Sequence, residues 1–243
     1  MRQLFILLAY SKDEGDTLVY QNIKKGIFLE RPNRFIAYVE IDGVREVVHV
    51  KNTGRCKELL LPQSTVFVQE VISDTRKTKY DLISVYKGDK LINMDSQAPN
   101  KVFAEWVKAG RFLPDITLIR AETKLGNSRL DFYLQTEDKK IFAEVKGVTL
   151  EENGIVRFPD APTERGIKHL NELCAAVGEG YEAYAVFVVQ MSGAKSFEPN
   201  DATQPAFGAA LRHAAEMGVH IVALGCKVTP DTLIIENSVK IKL

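Results

Sequence analysis

Cysteine and histidine are scarce in this chain of 243 residues, with three of the first and four of the second. The cysteines, Cys56, Cys174 and Cys226, are an odd number set far apart, and they form neither a C-x-x-C pair nor a zinc spacing with His49, His169, His213 and His220. A disulfide framework and a structural zinc are therefore excluded, and buried reduced thiols in a cytoplasmic protein are expected. The histidines show no triad or ligand spacing, so each is expected to be an ordinary packed or surface residue. Neither sign of charge is in excess, since 32 Lys plus Arg face 32 Asp plus Glu; no global positive field advertises a polyanionic partner, and any basic patch must be local. No apolar run approaches the roughly 20 residues of a membrane helix. The opening Met1 to Tyr10 is apolar but short, and Lys12, Asp13, Glu14 and Asp16 follow without a small-residue cleavage site, which argues against an export signal. A phosphate-cradling glycine loop, a dinucleotide fingerprint and a Ser-His-Asp order are missing too, and the enzyme classes built on them go with them.

What remains is an ordinary globular composition, 45% apolar and 26% charged, long enough for one large domain or two small ones. The hydrophobic period changes once. Up to about residue 92 it is short and strand-like: Phe35, Ala37, Val39 and Ile41 alternate with polar neighbours, and Val44, Val47, Val48 and Val50 follow. Asp42-Gly43 between these runs is a hairpin signal, because a two-residue turn needs positive φ. Further strands are expected at 66–72 and 80–86, with a short helix at 57–60 before Pro62. The spacing predicts a small β-barrel from about residue 26 to 92. Beyond it, over 93–243, Val102, Phe103, Trp106 and Val107 share a helical face, with Asn100 placed to cap the start. Strands at 116–122, 129–135 and 140–146, a helix at 163–177, a strand at 183–191, a helix at 205–217 and a strand at 219–224 complete an α-β-β-β-α-β-α-β order.

Within that order Asp131 lies on the second strand and Glu144 and Lys146 on the third. Strand side chains alternate, so Glu144 and Lys146 share one face while Val145 takes the other. Two carboxylates converging from adjacent strands make a hard oxygen site suited to Mg²⁺ or Mn²⁺. A lysine beside them completes a hydrolytic set, the ion polarising a phosphodiester and the ammonium orienting water or neutralising developing charge. The plain alternative is a surface ion pair of little energetic weight. The neighbours Ala143, Val145 and Gly147 favour a covered strand, where charge must be paired or metal-bound. The D-x(n)-E-x-K spacing and the element order resemble the PD-(D/E)XK nuclease superfamily.

Longer words carry a more specific likeness. Arg31-Pro32-Asn33-Arg34-Phe35, Asn52-Thr53-Gly54, Ser128-Arg129-Leu130-Asp131-Phe132, Glu144-Val145-Lys146-Gly147-Val148-Thr149-Leu150 and Phe158-Pro159-Asp160-Ala161-Pro162-Thr163-Glu164-Arg165-Gly166 resemble the sugar fermentation stimulation protein family, in order and from about residue 20 onward. The first 19 residues lie outside the pattern, as an extension or as sequence ahead of a later start codon. Gln63 stands where the family favours Gly after Pro. The resemblance implies a two-domain α+β or α/β protein: after an extension at 1–19, an N-terminal OB-like β-barrel over 20–92, an αβββαβ PD-(D/E)XK nuclease-like domain over 93–243, DNA binding, and a link to regulation of sugar metabolism genes. It points to Asp131, Glu144 and Lys146 as catalytic, with Asp131 and Glu144 holding Mg²⁺ or Mn²⁺ and Glu122 and Glu164 as outer carboxylates. Glu122 reads equally as a solvated turn residue. Glu164 reads equally as a first-turn carboxylate stabilised by the helix dipole.

The barrel supplies the local charge. Residues 31 to 90 hold eleven Lys or Arg against eight Asp or Glu, an excess of three. Nucleic-acid contacts are expected from Arg31 and Arg34, from Lys51, Asn52, Gly54 and Arg55 with Lys57 beside them, from Arg76, Lys77 and Lys79 on the next loop, and from Arg129, Arg165 and Lys168 in the second half. Gly54 would let a backbone N–H approach a phosphate. OB-type barrels bind strands with loops and an exposed sheet face. Among the aromatics available for stacking, Phe35 and Tyr80 included, Tyr38 is off the apolar register and the better candidate, whereas Phe35 is expected in the core. Two functions follow: a DNA-binding protein carrying a metal phosphodiesterase site, ranked first, and an active Mg²⁺- or Mn²⁺-dependent nuclease. A sugar-binding barrel is a distant third. Oligomeric state is not legible.

Overall fold

A computed structural model describes residues 18–243 apart from Thr53 and Asn127. The first half is a β-barrel built from β1 (Ile23–Asn33), β2 (Ile36–Ile41), β3 (Val44–His49), β4 (Thr65–Glu70), β5 (Tyr80–Lys87) and β6 (Lys90–Asn93). The sheet order is β3-β2-β1-β4-β5-β6, and parallel pairing of β3 with β5 closes the first five strands. Alternation does the local work, since Ala37, Val39 and Ile41 point inward from β2. Asp42 and Gly43 form the expected two-residue turn, with φ of +53° and +78° and Ile41 facing Val44 across it. Two expectations fail here. Phe35 is half exposed because it occupies the two-residue turn between Asn33 and Ile36 rather than a strand. Residues 57–60 make a turn and no helix, since Pro62 and a second turn follow at once.

The second half contains α1 (Ala98–Lys108), β7 (Leu118–Leu125), β8 (Ser128–Gln135), β9 (Lys140–Val148), β10 (Leu150–Glu152), β11 (Ile155–Phe158), α2 (Glu164–Gly178), β12 (Glu182–Val189), β13 (Ser196–Pro199), α3 (Pro205–Glu216), β14 (His220–Val228), β15 (Leu233–Ser238) and β16 (Lys240–Ile241). A mixed six-stranded sheet runs β15-β14-β12-β9-β8-β7. The apolar run of β12 is the expected central parallel strand, paired with β9 on one side and β14 on the other. One face packs on α1 through Phe132, Ala143, Val145 and Val186, and the other on α2 and α3 through Phe142, Ala185 and Phe187. Four strands of two to four residues, β10-β11-β13-β16, form a small extra sheet that periodicity could not reveal. Asn100 does not cap α1: the helix starts one turn earlier, after Gln97 and with Pro99 in its first turn, because Asp95 already supplies the carboxylate that receives the Gln97 N–H (2.9 Å). No helix among the described residues is long and apolar enough to cross a membrane.

The two halves meet through buried polar groups. Gln190 Nε2 donates to Asn93 Oδ1 (2.9 Å) and to the Asp95 carbonyl (3.0 Å), and Asn93 Nδ2 donates to the Tyr20 hydroxyl (3.2 Å). Residues at the end of the expected N-terminal extension join this junction. The Leu18 N–H donates to Glu105 (3.1 Å), Val19 bridges Thr232, and the Tyr20 N–H donates to the Asp231 carbonyl (2.7 Å). Lower down, Lys87 and Lys90 of the β5-β6 hairpin grip buried Glu151 of β10, at 3.2 and 2.9 Å. Burial alone would raise the Glu151 carboxyl, but the Lys90 bond, the Gly154 N–H and Lys87 together bring it down to about 2.

Two outcomes are expected. Gln63 occupies the third position of a Leu61-Pro62-Gln63-Ser64 turn with φ of +72°, closed by a Ser64 N–H bond to the Leu61 carbonyl (3.0 Å); Gln63→Gly should add about 1 kcal/mol in urea unfolding. A carboxyl depressed in the folded state contributes stability above its ordinary range that is lost as pH falls. Glu151→Gln should therefore cost about 3 kcal/mol at neutral pH and flatten the acid side of the stability profile between the ordinary 4.5 and about 2.

Candidate metal and nucleic-acid site

The site forms where the pairing of β8 with β9 gives way. The ladder runs regularly to Phe132 opposite Ala143, one step short of Asp131 and Glu144. Beyond it the carboxylates take over the backbone donors: the Val145 N–H donates to Asp131 Oδ2 (2.9 Å) and the Asp131 N–H donates to Glu144 Oε2 (3.3 Å). The two acids are thereby locked side by side. Glu144 and Lys146 share the face toward α2, and Lys146 Nζ bonds Glu144 Oε1. Asn100, in the first turn of α1, donates its Nδ2 to Asp131 Oδ1 (3.0 Å).

His169 was expected to be an ordinary histidine, and the structure corrects this. Its Nδ1 bonds Glu144 Oε1 and lies 3.4 Å from Lys146 Nζ. Arg165 Nε donates to His169 Nε2 (3.3 Å), so Nε2 accepts and the Nδ1 proton goes to Glu144. A signal was present in the sequence: His169 sits between Gly166, Leu170 and Leu173 on the buried stripe of α2, where a polar residue needs a partner. A cavity of about 10 Å³ between Glu144, His169, Leu173, Phe187 and Phe207 is no larger than one water.

Glu144 is 3% exposed. Burial pushes its carboxyl up, but the His169 hydrogen bond and the Lys146 charge outweigh that and hold it below the usual glutamate range. Asp131 goes the other way. Burial first, then the Glu144 charge, raise it above the usual aspartate range, against the Val145 N–H, Lys146 and Asn100. One acid is thus held ionised and its neighbour pushed toward protonation, as expected of carboxylates crowded into one site.

The other expected site residues are dispersed. Glu122 is exposed on the edge strand β7 with φ of +50° and pairs with Arg129 (3.1 Å). Glu164 accepts from Gln204 Nε2 (3.1 Å) at the start of α2, whose N-cap is Thr163. Among the described residues no three His, Cys, Asp or Glu side chains group as a metal cluster. Several cations expected on nucleic acid are engaged within the protein. Lys51 is largely buried against Asp95 (2.6 Å) and Asp81 (3.8 Å), Arg76 binds Asp81, and Lys79 binds Glu70 (2.8 Å). Arg31 spreads its guanidinium over the carbonyls of Arg34 and Asn52 (2.7 Å each) and of Gly54 and Arg55 (3.0 Å each). It thereby staples the β1-β2 turn to the 52–55 loop. Asn52 Oδ1 accepts from the Gly54 N–H (2.8 Å), and the Arg55 N–H donates to Asp160 (3.2 Å). Arg34, Arg55, Lys57, Lys77, Arg165 and Lys168 keep exposed side chains. Tyr38 points outward as expected but carries the Arg45 guanidinium over its ring at 4.1 Å, and Tyr80 is buried.

Comparison with known proteins fits this architecture. Residues 97–232 match the family model "Sugar fermentation stimulation protein RE domain", and residues 29–94 match "SfsA N-terminal OB domain". The chain is 60% identical over 224 residues to the sugar fermentation stimulation protein homolog of Clostridium beijerinckii, covering 92% of this chain and 99% of that one. It is 56% identical over 224 residues to the homolog of Ruminiclostridium cellulolyticum, with the same coverage. Among solved structures it is similar to Pyrococcus furiosus SfsA in complex with Ca²⁺, with TM-score 0.85, 27% identity, and 94% of this chain and 100% of that one covered. The chain belongs to the sugar fermentation stimulation protein family, and its residues 29–94 are the N-terminal OB domain of that family.

The crowded carboxylates give a sign test. An acid raised in the folded state weakens folding as pH climbs through its folded value and costs nothing where both states are protonated. The cation-free protein should therefore lose stability as pH climbs above the ordinary aspartate value of 3.8, and that loss should be absent in Asp131→Ala. Urea unfolding at several pH values measures it.

Proposed function

We propose that this chain is a cytoplasmic DNA-binding protein whose second half carries a divalent-metal phosphodiesterase site at Asp131, Glu144 and Lys146. The observation that carries the reading is the pair of locked, neighbouring carboxylates with a lysine on the same strand face. The donor set fits Mg²⁺ or Mn²⁺. Mg²⁺ keeps several waters and asks for only one or two protein carboxylates, and the charge that raises Asp131 is repulsion a cation would relieve. The Ca²⁺ of the Pyrococcus furiosus SfsA complex supports an oxygen-ligand cation site in this fold. Three free cysteines, Cys56 and Cys226 buried and Cys174 partly so, accord with a reducing compartment.

In this reading Asp131 and Glu144 hold the cation, which supplies Lewis-acid polarisation of a phosphate oxygen and a water of lowered pKa. Lys146 neutralises charge that develops on the phosphate and orients the attacking water. His169 and Arg165 keep Glu144 ionised and aimed. Arg165 and Lys168 on α2, with Arg34 and Arg55 on the stapled barrel loops, form the cationic approach; the Arg55–Asp160 bond ties the loop to the segment that leads into α2. Phe35, half exposed beside Arg34, offers an aromatic face for a base. Lys77 and Arg129 are peripheral in this scheme, and Glu122 and Glu164 stand outside the ligand set.

A second reading, a regulator of sugar metabolism genes that binds DNA without cutting it, is favoured by one observation. Glu144 already has His169 and Lys146 as partners, so the site neutralises itself without a cation. Incubation with single-stranded, duplex and branched DNA and with RNA, in Mg²⁺ or Mn²⁺, separates the two. Metal-dependent cutting that drops at least about 100-fold in Lys146→Ala supports the enzyme, and salt-sensitive binding with no cutting supports the regulator. Arg34, Arg55 and Lys168 replaced together by Ala should lower the slope of log affinity against log salt by about 2 to 3. No binding and no cutting with any of these substrates would sink both.

A further inference from the structure

We infer that Asn100 is the positioning residue for Asp131, fixing the carboxylate rotamer that receives the cation. The inference rests on the metal reading above. Asp131 is held from two directions, by the Val145 N–H on Oδ2 (2.9 Å) and by Asn100 Nδ2 on Oδ1 (3.0 Å). The first donor belongs to the neighbouring strand and comes with the sheet. The second comes from another layer, 31 residues earlier in the chain. A neutral amide suits this work: it donates to a carboxylate at every pH at which the protein is folded and adds no charge that would compete with a cation.

The turn that presents Asn100 is itself held by hydrogen bonds on both sides of Asp95. Asp95, 1% exposed, receives the Gln97 N–H on Oδ1 (2.9 Å) and the Ala98 N–H on its carbonyl (3.1 Å), while Lys51 of the barrel holds Oδ2 (2.6 Å). Pro99 rests on Gly147, one residue beyond Lys146. A Cβ at Gly147 would stand 2.8 Å from Pro99 Cγ and 2.4 Å from Gln190 Oε1, so the turn needs that glycine to sit down on β9. The barrel therefore contributes to the geometry of a site on the other half, through Lys51, Asp95 and the first turn of α1.

Calorimetric titration of CaCl₂ into the full chain, with thermal melting of the cation-free protein, tests this on Asn100→Leu and on Asn100→Ser, which removes the reach without adding bulk. In either variant that folds, the Ca²⁺ dissociation constant should rise at least about tenfold while the cation-free melting temperature moves by less than about 3 °C. A lowered melting temperature with unchanged Ca²⁺ affinity overturns the assignment and leaves Asn100 a structural residue. Should the native chain bind no Ca²⁺, the metal reading fails, and the side-chain amide of Asn100 then decides by NMR. Exchange-protected NH₂ signals that collapse to free-amide behaviour in Asp131→Ala support positioning. Free-amide behaviour in the native chain overturns it.

Discussion

A glutamate buried as deeply as Glu144 costs several kcal/mol unless its oxygens are met by charge and hydrogen bonds. Three donors meet it: Lys146 from its own strand, His169 from α2 and the Asp131 N–H from β8. The first follows from strand alternation, the second needs α2 laid across the sheet, and the third needs β8 and β9 to stop pairing at one particular step. The crossover from β9 through α2 to the parallel strand β12 brings the helix to that face. Asp131 is then forced alongside a charge it would otherwise avoid. Site and scaffold are one problem, because the strain of two neighbouring acids is tolerated only where the surrounding layers fix every donor.

The same economy governs the positive charge. Of the cations that the barrel carries, those nearest its closure are committed to Asp81, Asp95 and Glu70, and Arg31 is consumed by four carbonyls. A buried lysine such as Lys51 persists because Asp95 and Asp81 lie within reach, and the Asp95 pair ties the barrel to the turn before α1. Exposed cationic side chains remain at the stapled loops, on Arg34 and Arg55, and along α2, on Arg165 and Lys168. A net charge of zero thus conceals a division between structural and available cations.

How far the sequence disclosed this depends on the range of each interaction. Asp42-Gly43, the alternation of β2 and the uniformly apolar β12 are local, and each was legible as period or turn chemistry. That Glu144 and Lys146 share a face follows from strand geometry alone, and the change of hydrophobic period supplied the barrel and the main element order. Phe35 was misplaced because it extends the alternating run by one step into a turn, where burial no longer follows parity. Asn100 looked like a cap since its position relative to the apolar stripe is right for one; Asp95, which does receive the helix's first N–H groups, is recognisable only once the chain is folded. His169 was the one non-apolar side chain in a buried stripe, a clue available beforehand, but its partner lies 25 residues away on a strand. The small sheet of β10, β11, β13 and β16 was out of reach, its strands being too short to show a period.

The barrel has a topological peculiarity. The chain touches the second half at Leu18 to Tyr20 before it enters the barrel and returns at Asn93 to Asp95, and the two crossings touch each other through the Tyr20 hydroxyl and Asn93. The barrel is in effect spliced into the other unit by both of its ends instead of being strung ahead of it on a leash. With the Lys87 and Lys90 grip on Glu151 and the Arg55 N–H bond to Asp160 added to these paired threads, the module is fastened at three places and cannot swivel freely or drift away. Separating the barrel from the unit that carries the acidic pair would consequently mean breaking all of these ties together, not bending one linker.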